Sequence, residues 1–265
     1  MDGPGNEAAA GRKPASTRRT QLRDLIRRQG FVTVAHAAGL LGVSEMTVRR
    51  DLETLQDEGL VDRTFGGAIR RGNHSSSEPA FDLRRREQAA AKQSIAQTAA
   101  ALIGPGETVA IDVGTTTLAL AEEIAQIAGI RILTNNVRAG VLLSDGASPV
   151  YIPGGQIRTG ELSVVGAAAV AQMRSFFPDK LFLGASGLTV DGLFDYSIED
   201  SEVKRAMIDN SEMVIALCDA SKFDHRSFVR IAGLDEIDIL VCDAEPPSPL
   251  AAALDRAGVR LVVSE

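Results

Sequence analysis

The segment 112–117, with the sequence DVGTTT, has the residue types of a phosphate-binding turn. It follows a predicted strand and opens a predicted helix, and Gly114 lets a ligand come close to the backbone. Thr115, Thr116 and Thr117 offer hydroxyl groups beside the amides of the first helical turn, which lack intrahelical acceptors. A capped turn without a ligand is the alternative interpretation. The segment lacks the lysine of a GxxxxGK[ST] loop and the spacing of GxGxxG, which argues against a nucleoside triphosphatase.

Further polar and small residues follow other predicted strands or precede them by one helix. Together with Asp112 they are Asn135, Gly154, Gly155, Asp200, Lys204, Asp219 and Lys222. Ligands of parallel α/β sheets bind at the carboxyl ends of the strands. Carboxylates and amides bind sugar hydroxyl groups and lysines balance negative charge, so the set predicts a pocket for a phosphorylated sugar. An ordinary surface ion pair of the (i, i+4) type is the alternative for Asp200 and Lys204. We expect no metal ion or cofactor and assign no catalytic residue.

The segment 43–63 contains the pattern of an amphipathic helix, far from the predicted pocket in sequence. Ser44 is a good N-cap, and Val48, Leu52 and Leu55 share one face at helical spacing. Met46, Thr47, Arg49 and Arg50 lie on the opposite face. An ordinary helix with a solvated charged face is the alternative. Before this helix, Thr33 can cap a short helix that ends at Gly42, which completes a helix-turn-helix. In such a unit the start of the second helix lies nearest the bases of the DNA major groove.

A predicted wing follows the second helix. Residues 60–63 and 68–70 can pair as short strands, with Gly66 and Gly67 in the turn. Arg63, Arg70 and Arg71 would bring positive charge close to phosphate groups. The charge distribution agrees: residues 1–73 hold 12 Lys/Arg and 9 Asp/Glu, whereas the rest of the chain holds 16 and 26 within a net charge of -7. A DNA-binding surface is therefore expected in the N-terminal part of the chain.

The order of predicted elements divides the chain into four parts. Residues 1–17 form a predicted disordered tail, 18–73 a winged helix-turn-helix domain, 74–103 a linker with a connecting helix over 81–103, and 104–265 an α/β domain. Seven strands are predicted at 108–112, 131–134, 149–153, 180–185, 213–219, 239–243 and 260–264. Helices are predicted at 116–128, 137–143, 164–174, 199–210 and 249–257. This alternation predicts a Rossmann-like, largely parallel and buried sheet.

Several classes of protein are disfavoured by composition. The sequence has no apolar run of 18 residues and a polar N-terminus, so neither a membrane span nor a signal peptide is expected. Cys218 and Cys242 lie in apolar runs, which predicts small core residues in a reducing compartment. A cytoplasmic protein is the expectation.

The run 43–68, VSEMTVRRDLETLQDEGLVDRTFGGA, resembles the winged helix-turn-helix of the DeoR family of bacterial transcription regulators. That family has VSxxT[IV]RRDL followed by Rx[HY]GGA. Phe65 departs from this pattern and removes a polar contact, so it is not counted as a DNA ligand. The resemblance and the helix face give one set of candidate DNA contacts: Ser44, Met46, Thr47, Arg49, Arg50, Arg63, Gly66 and Gly67.

The C-terminal part resembles the same family at segment 112–117, Asn135-Asn136, Gly154-Gly155, Asp179-Lys180, Gly184, Lys204 and segment 219–223. The resemblance implies an effector domain similar to ribose-5-phosphate isomerase that senses phosphorylated sugars or sugar alcohols. At Asp200-Ser201 the family usually has Glu-Ala, and the carboxylate here is shorter by one methylene, so the sugar preference of better-known members is not carried over to this chain. The expected partners are double-stranded operator DNA, a phosphorylated sugar and further copies of the chain, in a dimer or tetramer.

Three functions remain open at the level of sequence. The favoured one is a repressor of sugar or sugar-alcohol metabolism genes that a phosphorylated sugar releases from its operator. The second is an isomerase-like enzyme with an attached DNA-binding domain, since a carboxylate, two lysines and a phosphate loop also suit aldose–ketose isomerisation. The third is an architectural DNA-binding protein whose α/β half only oligomerises.

Overall fold

The computed structural model describes residues 14–29, 31–58, 60–64, 67–70 and 78–265. The chain divides into two compact units, residues 1–73 and 74–265. Several predicted features lie outside the described residues: the tail up to residue 13, Phe65, Gly66, Arg71 and the linker up to residue 77. The predicted boundary of the tail at residue 17 is wrong, since residues 15–17 already belong to the first helix.

The N-terminal unit contains three helices and three short strands. They are α1 Ala15–Gln29, β1 Phe31–Thr33, α2 Val34–Leu41, α3 Glu45–Asp57, β2 Val61–Thr64 and β3 Gly67–Arg70. Thr33 caps α2 by accepting a hydrogen bond from the amide of His36 at 3.1 Å. Gly42 then takes φ 66°, a left-handed conformation that costs glycine little, and this ends α2. The predicted helix-turn-helix is therefore confirmed.

The core of this unit comes from the apolar faces of all three helices. Val48, Leu52 and Leu55 of α3 are buried, as their spacing predicts, against Leu22 and Ile26 of α1. The strands form an antiparallel sheet in the order β1-β3-β2. Strand β1 is absent from the sequence prediction because three residues carry too little alternation to be recognised.

The second strand of the wing begins one residue earlier than predicted. Gly67 was expected in the turn, yet it belongs to β3 and pairs with Thr64 on one side and Thr33 on the other. Arg63 of β2 lies opposite Ala68. The predicted antiparallel pairing of the two strands is confirmed.

The C-terminal unit has seven helices. They are α4 Phe81–Arg86, α5 Ala89–Ala100, α6 Thr115–Ile124, α7 Val137–Ser144, α8 Ala167–Met173, α9 Ile198–Asn210 and α10 Ser248–Ala257 among the described residues. The single connecting helix predicted over 81–103 is wrong: the chain breaks between α4 and α5, where Gln88 has φ 52°. The buried Lys92 fixes this break because its ammonium donates to the carbonyl oxygens of Arg84 and Glu87, the latter at 2.7 Å.

A seven-stranded parallel sheet forms the centre of the unit. Its strands are β4 Thr108–Ile111, β5 Arg131–Thr134, β6 Val150–Tyr151, β9 Lys180–Gly184, β12 Met213–Leu217, β14 Ile239–Cys242 and β15 Arg260–Val263. The order is β15-β14-β12-β9-β4-β5-β6, and every neighbouring pair is parallel. Helices cover both faces over two apolar clusters. The predicted parallel α/β fold is confirmed.

The strand order reverses direction between β4 and β9. From β4 the chain proceeds outward through β5 to β6, and it returns on the other side of β4 to form β9. At such a switch point the two following connections leave in opposite directions and open a crevice at the carboxyl ends of the strands. The residues that follow β4 and β9 therefore have the best position to bind a ligand.

Two antiparallel additions were not predicted. The hairpin of β7 Gln156–Arg158 and β8 Ser163–Val165 replaces the start of the helix predicted over 164–174. A second sheet has the order β10-β11-β13, formed by Gly187–Thr189, Gly192–Asp195 and Val229–Ala232. Both additions contribute charged residues to the switch point. Cys218 and Cys242 are buried free thiols, as expected. None of the described helices has the length and apolar character to cross a membrane.

Candidate functional sites

The start of α3 presents the predicted DNA contacts on one surface. Ser44 caps the helix by accepting from the amide of Thr47 at 3.3 Å, and the two hydroxyl groups lie 2.9 Å apart. Met46, Arg49 and Arg50 are exposed. The guanidinium of Arg49 contacts Glu45 at 3.3 Å. Arginine in the first turns of a helix-turn-helix can bind guanine or phosphate, so the geometry suits both kinds of contact.

An open groove of about 830 Å³ runs along this surface. Ser44, Thr47 and Arg50 of the second helix line it, together with Gly39 of α2 and Arg18 of α1. Of the wing residues, Gly67 is buried in β3 between β1 and β2, and the side chain of Arg63 lies outside the described part of the chain. Among the predicted DNA contacts whose side chains are described, the exposed donors therefore lie on α3.

Asp51 is a structural residue that the sequence argument did not single out. It is buried on the inner face of α3 and forms an ion pair with Arg18 of α1, with Nη2 and Oδ1 3.0 Å apart. The pair joins residues 33 positions apart in the chain. The Asp of the RRDL motif therefore fixes α3 on α1, and its arginine neighbours Arg49 and Arg50 remain exposed.

At the switch point of the parallel sheet, Lys204 of α9 lies among three acceptors. Its ammonium forms ion pairs with Asp112, which follows β4, and with Asp195 at 2.9 Å, and it donates to the Gly184 carbonyl oxygen at 2.9 Å. Asp112 also accepts from the amide of Gly184 at 3.2 Å. Lys204 is only 2% exposed and Asp112 fully buried. This cluster joins the two strands at the switch point to α9 and to the small antiparallel sheet.

The charges of the cluster are strongly coupled. Burial alone would lower the pKa of Lys204, but the two carboxylates outweigh it and raise that pKa, so the ammonium is retained. Burial raises the pKa of Asp112 to about 7 against the opposing charge of Lys204. Burial acts in the same direction on Asp195, yet Lys204 and hydrogen bonds leave its pKa lowered. Asp195 is thus the carboxylate that stays ionised beside Lys204.

A cavity of about 60 Å³ opens beside this cluster. Six of the predicted effector residues line it, and they come from three separate parts of the chain: Gly114, Thr115, Thr116, Asp200, Lys204 and Lys222. Thr115 and Thr116 form the first turn of α6, where backbone amides face any bound anion. One carboxylate oxygen of Asp200, Oδ1, is buried without a hydrogen-bond partner within the described part of the chain. The wall therefore combines anion donors with an acceptor for a hydroxyl group.

Other predicted effector residues lie behind the cavity wall or away from it. Asp112 and Thr117 are buried behind the wall, and the Thr117 hydroxyl donates to the Gly114 carbonyl oxygen at 3.2 Å. Asp219 accepts from the Ser221 amide at 3.1 Å and caps the 3-10 turn Ala220–Lys222, which places Lys222 in the wall. Asn135 is buried next to the β-bridge between Asn136 and Ser163. The nitrogen and oxygen of its side-chain amide have no hydrogen-bond partner among the described residues.

The glycines after β6 do not reach the cavity. The Gly154 amide donates to the side-chain oxygen of Gln172 at 2.8 Å. A Cβ on Gly155 would lie 2.7 Å from the Val165 carbonyl oxygen, so its small size serves packing against β8. The structure thus offers a packing reason for Gly155 that the sequence alone did not distinguish from ligand approach.

Several charged residues in or beside the wall were not singled out from the sequence. Glu78, Arg84, Glu87, Glu161 and Asp195 line the cavity, and Arg158 adjoins them. Arg84 stood within a run of three arginines that indicates a solvated helix, and the two residues of the β7–β8 hairpin lay in a segment with no predicted role. The sequence carries one signal, since charges cluster in RTGE within a largely apolar region. Within the described residues no group of His, Cys, Asp and Glu side chains is arranged to bind a metal ion.

Comparison with known families gives two matches that together cover most of the chain. Residues 18–73 match the DeoR-like helix-turn-helix domain, and residues 87–244 match the DeoR C terminal sensor domain. The chain belongs to the DeoR family. The DeoR-type helix-turn-helix is the N-terminal unit just described, and the sensor domain is the parallel sheet with its switch-point cavity. The resemblance found in the sequence is confirmed, and the chain is a DNA-binding transcription regulator.

Relatives in the DeoR family extend over nearly the whole chain. The HTH-type transcriptional repressor GlcR of Bacillus subtilis is 33% identical over 245 residues, which are 92% of this chain and 94% of that protein. The glycerol-3-phosphate regulon repressor of Escherichia coli is 31% identical over 246 residues, which are 92% and 97%. Among solved structures, ribose 5-phosphate isomerase A of Methanocaldococcus jannaschii aligns with a TM-score of 0.40 and 14% identity, covering 52% of this chain and 55% of that one.

Proposed function

We propose that this DeoR-family regulator is a repressor of sugar or sugar-alcohol metabolism genes whose sensor domain binds a phosphorylated sugar in the switch-point cavity. Binding of that effector releases the protein from its operator. The proposal is carried by one observation: an anion-binding helix start, two lysines and an unpartnered carboxylate oxygen of Asp200 line the same cavity. The repressor names of GlcR and of the glycerol-3-phosphate regulon repressor support it.

The two parts of the effector would be recognised by different chemistry. A phosphate group suits the first turn of α6, where the amides and hydroxyl groups of Thr115 and Thr116 meet the positive end of the helix dipole. Lys222 adds a cation at the same wall. Sugar hydroxyl groups donate hydrogen bonds, and Oδ1 of Asp200, which has no partner among the described residues, can accept one.

Operator binding would use α3 in the major groove of double-stranded DNA, with Thr47, Arg49 and Arg50 as the residues nearest the bases. We further propose that the protein acts in the cytoplasm as a homo-oligomer, dimer or tetramer. Two DNA-binding units would then occupy half-sites spaced by about 34–36 Å or a multiple of it. The effector changes DNA affinity only by the difference in its own affinity for the two states.

The isomerase-like alternative makes a different demand on the cavity. Isomerisation needs a base that can remove a proton beside a carbonyl. Two carboxylates of the wall are paired with cations, Asp195 with Lys204 and Glu161 with Arg84. This pairing, and the repressor relatives, favour signalling over turnover.

One experiment separates these functions. Operator DNA is selected from a random pool with the purified chain, and its release is followed by fluorescence anisotropy against matched phosphorylated and unphosphorylated sugars and polyols. We expect release by at least one phosphorylated compound and by none of the unphosphorylated ones. Product analysis on the same samples tests turnover. Conversion of a sugar phosphate would support the isomerase alternative, and release by no compound would contradict the sensing proposal.

A further inference from the structure

A chain of alternating charges closes one side of the switch-point cavity. The carboxylate of Glu78 contacts two guanidinium groups, Oε1 with Arg84 at 3.1 Å and Oε2 with Arg158 at 3.0 Å. Arg84 also pairs with Glu161, and Arg158 with Asp200. Three carboxylates thus share two guanidinium groups.

The two arginines have the geometry of an anion site. Both approach a single carboxylate, one oxygen each, and a phosphate monoester offers the same pair of contacts with a second negative charge. Arg84 is 12% exposed in its side chain and Glu78 16%, so water screens this contact less than a surface pair. Arg84, Thr115 and Thr116 line the same cavity. A phosphate at the start of α6 therefore has Arg84 within the same small space.

Between Arg84 and Arg158, the carboxylate of Glu78 is expected to bind more weakly than a phosphate monoester. Burial raises the pKa of its carboxyl despite the opposing charge of Arg84, and Glu161 raises it further. The side chain carries one negative charge, whereas a phosphate monoester carries up to two near neutral pH. An incoming phosphate would keep both guanidinium groups paired and would bring more negative charge to them than the Glu78 carboxylate does.

We infer that Arg84 and Arg158 recognise the phosphate group of the effector and that Glu78 competes with it for both arginines. This inference rests on the proposed sensing function. It adds which side chains bind the phosphate group and which carboxylate that group must displace. The displaced anion is the chain's own carboxylate, and the ligand class is a phosphate monoester. No covalent bond is made or broken in the exchange.

The position of Glu78 gives the exchange a consequence. It lies five residues after Asn73, where the DNA-binding unit ends, and directly before Pro79, whose carbonyl oxygen accepts from the Arg84 Nε at 3.0 Å. Loss of the Glu78 contacts would therefore act on the first described residues of the sensor unit, Glu78 and Pro79.

The test compares Glu78→Gln with a matched control, Glu122→Gln. Glu122 contacts Arg85 at 2.9 Å, next to Arg84 in sequence, but on an exposed surface. The probe is inorganic phosphate, titrated by calorimetry into the full chain at constant ionic strength, with chloride as the reference anion. We expect Glu78→Gln to bind phosphate about tenfold more tightly than wild type, equivalent to about 1.4 kcal/mol. Glu122→Gln is expected to match wild type, and Arg84→Gln to lose binding.

Two results would overturn the inference: equal phosphate affinity in wild type and Glu78→Gln, or no phosphate binding by either. If Glu78→Gln fails to fold, Glu78→Asp replaces it, since the shorter side chain cannot reach both arginines, and tighter binding is again expected. Failure of the sensing proposal has another signature. Phosphate would bind Glu78→Gln more tightly, while no sugar phosphate released the wild-type protein from its operator.

Discussion

The carboxylate of Asp112 accepts a hydrogen bond from the backbone amide of Gly184, 3.2 Å away. Asp112 follows β4 and Gly184 ends β9, so this contact spans the place where the strand order reverses. The ammonium of Lys204 contacts both residues. A buried ion pair therefore stabilises the crevice between β4 and β9. The residues of the cavity wall lie directly beside this pair.

Asp112→Asn is expected to change how stability depends on pH. The folded pKa of Asp112 is raised to about 7, whereas an unfolded aspartate titrates at about 3.9. Between these values the folded protein keeps a proton that the unfolded chain has lost, so stability falls as pH rises. From pH 5.5 to 8, wild type should lose about 2 kcal/mol more than Asp112→Asn in urea unfolding of the full chain. The exposed Asp145→Asn is the control and should follow wild type; a parallel course for Asp112→Asn would refute the assignment.

The inner strands of the central sheet were predictable because they are buried on both faces and therefore appear as short, continuous apolar runs. The edge strands β6 and β15 are partly exposed but also apolar. All seven strands were found within a few residues of their bounds. The turn after β4 was predictable as well, since a glycine and three threonines between a strand and a helix have few other uses. Parallel topology then brings together the residues at the strand ends.

The missed residues depend on contacts that local sequence does not encode. The strands of the β7–β8 hairpin have three residues each, which is too short for alternation to be recognised, and β7 exposes Ile157. Arg158 and Glu161 acquire their role only from partners at residues 78, 84 and 200. The break at Gln88 likewise depends on the ammonium of Lys92 reaching back to α4, which an alanine-rich run does not indicate.

Thr115→Val is expected to separate sensing from DNA binding. Valine keeps the shape of threonine and removes the hydroxyl from the cavity wall. Operator affinity should stay within about twofold of wild type, while the effector concentration for half-release should rise about tenfold or more. Anisotropy with an active sugar phosphate measures both quantities. Thr108→Val, at the opposite end of β4, serves as the control and should behave as wild type. Normal release by Thr115→Val would place the phosphate elsewhere.

Asp51→Asn is expected to loosen α3 without touching its exposed arginines. It removes one charge of the buried pair with Arg18, which should cost about 1–3 kcal/mol locally. Hydrogen exchange of the Leu52 and Leu55 amides in the full chain should then accelerate by about tenfold or more. Glu58→Gln is the matched control. Glu58, at the end of α3, contacts Arg19 of α1 at 3.6 Å, but this ion pair lies on the surface. This substitution should change exchange by only a few tenths of a kcal/mol. Equal effects of the two variants would deny Asp51 its structural role.

Arg50→Ala tests whether the exposed face of α3 reads bases. Arg50 is exposed beside Thr47 in the groove at the start of the helix, where side chains approach base edges. Contact with a base predicts a loss of about 1–3 kcal/mol on the selected operator and a smaller loss on one base-pair variant, so that discrimination at that position disappears. The measurement is anisotropy on the operator and its single-base-pair variants at one salt concentration. Arg23→Ala on α1 is the control and should leave the ranking of sequences unchanged. A uniform loss on every sequence would instead identify Arg50 as a phosphate contact, and base recognition would then pass to Thr47 or Arg49.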